Sequence, residues 1–286
     1  MTAWQLLLSD PAAPLRLSFM RDAWLVGSLV GVVCAVLSCY LILKGWSLMG
    51  DAISHAIFPG VVLAYMIGIP LSIGAFVAGF FCAISTGFIK VRSRIKEDTV
   101  MGVVFTGMFA FGLLLFSKIE SDIHLNHILF GSLLGISKSQ MIQTTIFGVI
   151  ALGFILIFRR DLLLFCFDPS HARSIGLNVS FLYYLFLALL SLSIVVSIQA
   201  VGTILVIAML ITPGCTARLL TSRFDRMCWV AASTALISAF LGVYVSYFIN
   251  GATGSCIVLV QSFQFLLALL VSKRRSSAKI VIRSSY

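Results

Sequence analysis

Charged side chains are scarce in this chain. Only 10% of its 286 residues are Asp, Glu, Lys or Arg, whereas 60% are hydrophobic. A soluble domain has about a quarter of its residues charged, so this composition excludes an ordinary soluble protein. The apolar residues stand in continuous runs, without the alternating pattern that is typical of a membrane β-barrel. The composition therefore predicts an all-α, polytopic membrane protein.

Several motifs of enzymes and ATP-binding proteins are also missing. The chain has no G-x-x-x-x-G-K-S/T loop, so it does not bind ATP in that way. It has neither the H-E-x-x-H motif of metalloproteases nor a G-x-S-x-G nucleophile elbow. The seven cysteines are scattered, mostly through apolar segments, and none forms a C-x-x-C pair. We expect these cysteines to act as small buried hydrophobes.

Long apolar segments dominate what is present. A bilayer is spanned by about 20 apolar residues of helix, and this criterion predicts nine crossings, with eight as the alternative. The predicted spans are 22–43, 48–68, 71–89, 99–117, 140–158, 180–198, 200–217, 228–249 and 255–272. The apolar stretch 124–136 is too short to cross and is interpreted as a short external or re-entrant helix. We see a single membrane domain, 22–272.

The net charge of +10 comes from basic residues that cluster between the apolar segments. This is the positive-inside pattern of a membrane protein and does not indicate a nucleic-acid partner. It predicts an external N-terminus, with residues 1–21 as an interfacial lead-in, and a basic cytoplasmic tail at 273–286. The clusters are Lys90, Arg92, Arg94 and Lys96; Arg159, Arg160 and Arg173; Arg218, Arg223 and Arg226; and Lys273, Arg274, Arg275, Lys279 and Arg283.

Asp51 and His55 are ionisable residues inside the second predicted span. Their i, i+4 spacing places both on one face of a helix, and ionisable groups within a span are costly and usually functional. Carboxylate with imidazole suits Mn²⁺, Fe²⁺ or Zn²⁺. Two ligands are too few for a closed structural site, but a symmetric pair of subunits would supply four. A proton relay and a purely structural Asp–His hydrogen bond remain as alternative interpretations.

Small residues recur every fourth position along the same segment: Ala52, Ala56, Gly60 and Ala64. Such a stripe is typical of closely packed membrane helices, and it lies one position round from the Asp51/His55 stripe. Pro59 removes a backbone hydrogen bond one turn after His55. We expect the helix to press against a neighbour while its polar edge borders a cavity.

Residues 168–176, DPSHARSIG, read as a short capped helix between two spans on the cytoplasmic side. Asp168 suits the N-cap, Pro169 the first helical position and Gly176 a left-handed C-terminal position. Capping alone fits a stiff connector and a docking element equally well. The cluster Glu120, Asp122, His124 and His127 is interpreted as a solvated external loop, and His171 as a surface or interface residue.

Three segments together resemble the integral-membrane permeases of bacterial manganese, zinc and iron importers driven by ATP-binding cassettes. They are residues 48–60, LMGDAISHAIFPG; the capped segment 168–176; and residues 201–213, VGTILVIAMLITP, followed by ARL at 217–219. The likeness runs from about residue 25 to 271. One departure is Asn250, where members of that family often carry an acidic residue in the last external connection.

The resemblance implies a type II importer fold in the bacterial plasma membrane. Two permease subunits, identical or paralogous, would form the pathway. Two cytoplasmic ATP-binding subunits would drive it, and an external binding protein would deliver the ion. Asp51 and His55 would handle the metal, which is the transported substrate, with no permanently bound cofactor. The chain itself would not be an enzyme. Residues of the capped helix would contact the ATPase: Asp168, Pro169, Ala172, Arg173 and Gly176.

Other functions are open at this stage. A permease of the same architecture for a metal chelate or corrinoid would want a wider, aromatic cavity. A proton-coupled secondary transporter would use the Asp51/His55 pair without an ATPase partner. A structural scaffold would tolerate Asn and Gln at these two positions.

Overall fold

The chain is described by a computed structural model for residues 16–95, 97–118 and 133–283. In this part of the chain the regular elements are all helical, and a 3₁₀ turn, Leu133–Gly135, precedes α5. The helices are α1 Ser18–Lys44, α2 Met49–Ile67, α3 Leu71–Arg92, α4 Glu97–Phe116, α5 Lys138–Ile157, α6 Arg159–Phe167, α7 Pro169–Ser174, α8 Val179–Val201, α9 Thr203–Leu220, α10 Phe224–Ile249 and α11 Thr253–Arg283.

Nine of the described helices are long and apolar enough to cross a membrane, which confirms the predicted number. They are α1 to α5 and α8 to α11, and most of their bounds lie within about four residues of the predicted ones. Helix α1 begins at Ser18, so the end of the predicted lead-in already belongs to the first helix. Helix α11 continues to Arg283, well into the predicted tail. The short helix expected at 124–136 and its acidic and histidine cluster lie almost entirely outside the described residues.

Two groups of helices carry the fold. Helices α2, α3 and α4 pack on one another. In a second group, α1 and α11 each pack on α9 and α10. Helix α8 joins them, because it contacts α3 and α2 on one side and α1, α5 and α9 on the other. The buried apolar residues of α1, α2, α8 and α9 form one continuous core. This arrangement places α2 at the junction between the two groups.

The small-residue stripe of α2 packs against α3, as predicted. Gly60 lies against the backbone of Gly74, and a Cβ atom at either position would overlap the carbonyl oxygen of the other. Ala56 and Ala64 are also buried, at 0% and 1% exposure. Because these side chains are small, the two backbones approach closely and the crossing is fixed.

All seven cysteines are free, and four of them are buried: Cys34, Cys39, Cys82 and Cys166. The other three are partly exposed. The expectation of small buried hydrophobes is therefore confirmed for the first four.

The Gly60–Gly74 crossing gives a stability prediction. Gly60→Ala should lower the free energy of unfolding by about 1–3 kcal/mol, because the new methyl group overlaps the α3 backbone. Gly153→Ala is the matched control, since nothing lies within 4 Å of a Cβ atom at that position. It should be neutral or stabilising by up to about 1 kcal/mol, through helix propensity. Midpoints of heat-induced aggregation in detergent, read by size-exclusion chromatography, would measure both. Equal midpoints for the two variants would contradict the proposed tight crossing.

Candidate functional site

Asp51 and His55 lie in the first two turns of α2 and face the same way. His55 Nε2 is 3.4 Å from Asp51 Oδ1, and their side chains are 35% and 37% exposed. The residues between them are buried, with Ala52 at 1% and Ile53 at 0% exposure. The polar pair is therefore the open edge of the first two turns of α2, whose other residues there are buried by the protein.

The separation between the two side chains is compatible with two donors that share one ion. Charge-assisted N–H···O bonds are usually about 2.7–2.9 Å long, shorter than the 3.4 Å observed here. Two donor atoms that each lie about 2.1 Å from one ion, at a tetrahedral angle, stand about 3.4 Å apart. The pair is thus spaced as two neighbouring ligands of a tetrahedral ion such as Zn²⁺ would be.

Two phenylalanines of α4 hold the imidazole in place. The His55 ring stacks on Phe105, with centroids 6.0 Å apart and an interplanar angle of 26°. It meets Phe109 nearly edge-on, at 5.5 Å and 72°. These contacts restrict the rotation of the imidazole and keep its nitrogen beside the carboxylate. Sequence reasoning missed both residues, and their only signal is i, i+4 spacing among 23 phenylalanines.

Glycines of α2 and α4 bring neighbouring helices close to the site. A Cβ atom at Gly50 would lie 2.9 Å from Leu210 Cδ1 of α9, and one at Gly112 would lie 2.8 Å from the Pro59 nitrogen. Pro59 is inside α2, so the carbonyl oxygen of His55 lacks the N–H donor that residue 59 would normally supply. This carbonyl oxygen is therefore a further candidate ligand on the same stretch of helix.

Within the part of the chain that the structure describes, no cluster of three or more His, Cys, Asp or Glu side chains exists. Asp51 and His55 therefore have no third such side chain beside them among these residues. His171 is exposed and does not form part of such a cluster. Asn250 ends α10 in a left-handed conformation, with φ of 52°.

The segment after α6 has the predicted capping pattern. The Asp168 carboxylate accepts hydrogen bonds from the backbone N–H groups of Ser170 and His171, at 2.9 and 3.0 Å. Pro169 occupies the first turn of α7, and Gly176 follows the helix with φ of 86°. Ala172 is fully buried and anchors the short helix, whereas Arg173 is exposed.

Two large apolar side chains flank α7 and are open to the surroundings. Phe167 is 78% exposed and Ile175 is 57% exposed. Isolated exposed apolar residues are common, but here two of them stand at either end of one capped helix beside the exposed Arg173. Sequence reasoning did not single out either residue, because apolar residues are abundant throughout this chain.

Comparisons with known proteins assign the chain to a family. Residues 16–272 match the model of the ABC 3 transport family. The chain is 56% identical to the "Chelated iron transport system membrane protein YfeD" of Yersinia pestis, over 93% of this chain and 89% of that protein. It is 52% identical to the "Manganese transport system membrane protein MntB" of Synechocystis sp., over 90% of this chain and 84% of that protein.

A solved structure has the same fold. PsaBC from Streptococcus pneumoniae in complex with Fab superposes with a TM-score of 0.80 at 39% identity, over 89% of this chain and 92% of that chain. The family match covers nearly all of the described residues, and the fold likeness covers most of the nine candidate spans. The chain is therefore a member of the ABC 3 transport family, with the membrane-spanning fold that its sequence resemblance implied.

Proposed function

We propose that this chain is the permease subunit of an ATP-driven importer that carries Mn²⁺, Fe²⁺ or Zn²⁺ into the bacterial cytoplasm. The observation that carries the proposal is the Asp51–His55 pair, whose donor atoms are 3.4 Å apart on the open edge of α2. The names of the relatives, which refer to manganese and chelated iron transport, agree with this choice of substrate.

A second permease subunit completes the ion site in this proposal. A twofold axis beside the open edge of α2 would bring two Asp51–His55 pairs together and give four ligands. The exposed fraction of both side chains supports this arrangement, because it leaves the donor atoms accessible from outside the subunit. An ion held only at the subunit boundary also leaves readily when the subunits separate.

ATP hydrolysis belongs to separate cytoplasmic chains, since this sequence has no phosphate-binding loop of its own. Helix α7 is the element that seats in the ATP-binding subunit. Its cap at Asp168 and its buried Ala172 keep it rigid, while Arg173, Phe167 and Ile175 offer one charged and two apolar contacts. A rigid helix transmits a movement of the ATP-binding subunit to the permease, whereas a flexible loop would deform instead.

The basic clusters set the orientation, with the N-terminus outside and the C-terminus in the cytoplasm. In this orientation the first turn of α2 lies towards the cytoplasmic side, so Asp51 and His55 meet the ion in the inner half of the pathway. An external binding protein delivers the ion to the opposite face. Alternating access then opens the pathway outward before ATP binding and inward afterwards.

A chelated ion is the second candidate substrate, because one relative is named a chelated iron transport protein. In a chelate, most coordination sites of the ion are already filled by the chelator, so few remain for Asp51 and His55. Uptake of radioactive Mn²⁺, Fe²⁺ and Zn²⁺, each supplied free and as a chelate, separates the two. Faster uptake of the chelate would favour the second candidate.

Removal of either ligand should abolish transport. We expect Asp51→Ala and His55→Ala each to eliminate metal-dependent growth, because a single remaining donor per subunit cannot replace enough of the ion's water shell. Membrane insertion and assembly with the ATP-binding chain should be unaffected. Growth in metal-depleted medium and the amount of copurified ATPase measure the two effects.

Asp51→Asn and His55→Gln are the matched variants, since they keep side-chain size and remove charge or the imidazole. Loss of uptake in both would exclude a scaffold role. Wild-type uptake by any of these four variants would remove the pair from the mechanism.

The cap of α7 gives another prediction. Asp168→Ala removes two hydrogen bonds and should destabilise the helix by about 0.5–2 kcal/mol. We expect less ATP-binding chain to copurify with the permease in mild detergent. Asp168→Ser retains an N-cap acceptor and should restore most of the assembly. Equal copurification of wild type and Asp168→Ala would be evidence that α7 is only a connector.

A further inference from the structure

Two residues of α1, one helical turn apart, fasten α6 to the core. Tyr40 Oη donates a hydrogen bond to the carbonyl oxygen of Arg159, where α6 begins, at 3.4 Å. Lys44 Nζ donates to the carbonyl oxygen of Phe165, in the last turn of α6, at 3.2 Å. The Arg159 side chain also pairs with Asp225 of α10. Helix α6 is thus held at both ends by helices of the membrane domain.

Lys44 donates its hydrogen bond to the C-terminal turn of α6, where backbone carbonyl groups lack donors. The last carbonyl groups of a helix have no intrahelical donor, and a cation near them is favoured by the helix dipole. The next residues lead directly into α7, because Asp168 both ends α6 and caps α7. A displacement of α7 therefore acts first on the turn of α6 that Lys44 holds.

Two aromatic rings lie beside the ammonium group of Lys44. Its Nζ lies 4.1 Å from the ring centroid of Phe165 and 5.6 Å from that of Trp46. Phe165 and Trp46 are 2% and 3% exposed, and both rings contact Tyr183 of α8 edge-on. The rings of Phe165, Trp46 and Tyr183 are closely packed. A shift of Phe165 therefore displaces Trp46 as well.

Trp46 connects α1 to α2, the helix that carries Asp51 and His55. Its backbone N–H donates to Leu41 of α1 at 2.9 Å, and its carbonyl oxygen accepts from Met49, the first residue of α2, at 3.1 Å. Gly45 adopts a left-handed conformation, with φ of 77°, that allows this tight connection. Asp51 follows in the first turn of α2.

We propose that Lys44 is a positioning residue that couples the α6–α7 segment to the Asp51–His55 pair. Its ammonium group joins Phe165, three residues before the cap of α7, to Trp46, three residues before α2. Movement of α7 shifts the first turn of α2 through this contact and changes the geometry of the two ligands. Lys44 itself does not touch the ion. The inference rests on the proposed importer function.

The test uses the complete importer, with the permease assembled with its ATP-binding chains and reconstituted with the external binding protein. Uptake of radioactive Mn²⁺, Fe²⁺ and Zn²⁺ and the rate of ATP hydrolysis are measured on the same proteoliposomes. Lys44→Met keeps the aliphatic stem and removes the charge and the hydrogen bond. We expect the number of ions imported per ATP hydrolysed to fall about tenfold, the usual size of a coupling between sites.

Mn²⁺ binding to the detergent-solubilised importer separates this inference from the proposed function. Lys44→Met should bind Mn²⁺ as wild type does, whereas Asp51→Ala should lose both binding and uptake. Normal uptake by Asp51→Ala would refute the metal pathway, irrespective of the result for Lys44. An unchanged ratio of ions to ATP in Lys44→Met would overturn the coupling role.

Two further variants separate coupling from folding. Lys44→Arg retains a cationic donor and should recover most of the ion-to-ATP ratio. Lys273→Met removes an exposed charge from α11 and should leave the ratio unchanged. If Lys44→Met instead lowers the folded yield, ATP hydrolysis and uptake in equal proportion, Lys44 is only structural and the proposal is wrong.

Discussion

The absence of water in the hydrocarbon core is the constraint on which this structure depends. Backbone polar groups there must be satisfied within the chain, and the nine long helices among the described residues meet that requirement. A carboxylate and an imidazole cannot be satisfied in the same way and are costly in lipid. Their position on α2 is therefore tolerable only if the open edge of that helix borders protein or a water-filled route.

The packing around the first turns of α2 leaves the Asp51/His55 edge open. Gly60 admits α3, Gly50 admits Leu210 of α9, and Gly112 lets α4 approach Pro59. Each of these contacts depends on a missing side chain, so three neighbours crowd the helix at different positions along its length. Asp51 and His55 retain about a third of their surface. In the proposed importer, the same small residues that fix the helix would thus also decide where an ion reaches it.

A feature of this fold can be predicted from the sequence when it depends on residues close together in the chain. Spans, the i, i+4 pair and the cap at Asp168 depend on neighbours within a few residues, and pattern rules find them. Phe105 beside His55 and Lys44 beside Phe165 are contacts between distant segments. No local signal marks them among so many apolar residues. Helix α1 begins before the predicted residue 22, because Phe19 and Met20 extend its apolar run to the N-terminal side of the charged Arg21 and Asp22.

The proposed ligand set, with only two side chains from each subunit, has a consequence for selectivity. Carboxylate and imidazole donors bind Zn²⁺ more tightly than Mn²⁺ or Fe²⁺ in the usual order of divalent ions, so the chemistry of Asp51 and His55 alone does not favour manganese or iron. In the proposed importer, discrimination would then come from the geometry that a second subunit imposes, or from the protein that delivers the ion. A site that is assembled only at a boundary between subunits can apply such geometry at the moment of loading and relax it at release. Ion selection and ion transport would then depend on the same conformational change. The rigid connection from α7 to the first turn of α2 would transmit that change to Asp51 and His55.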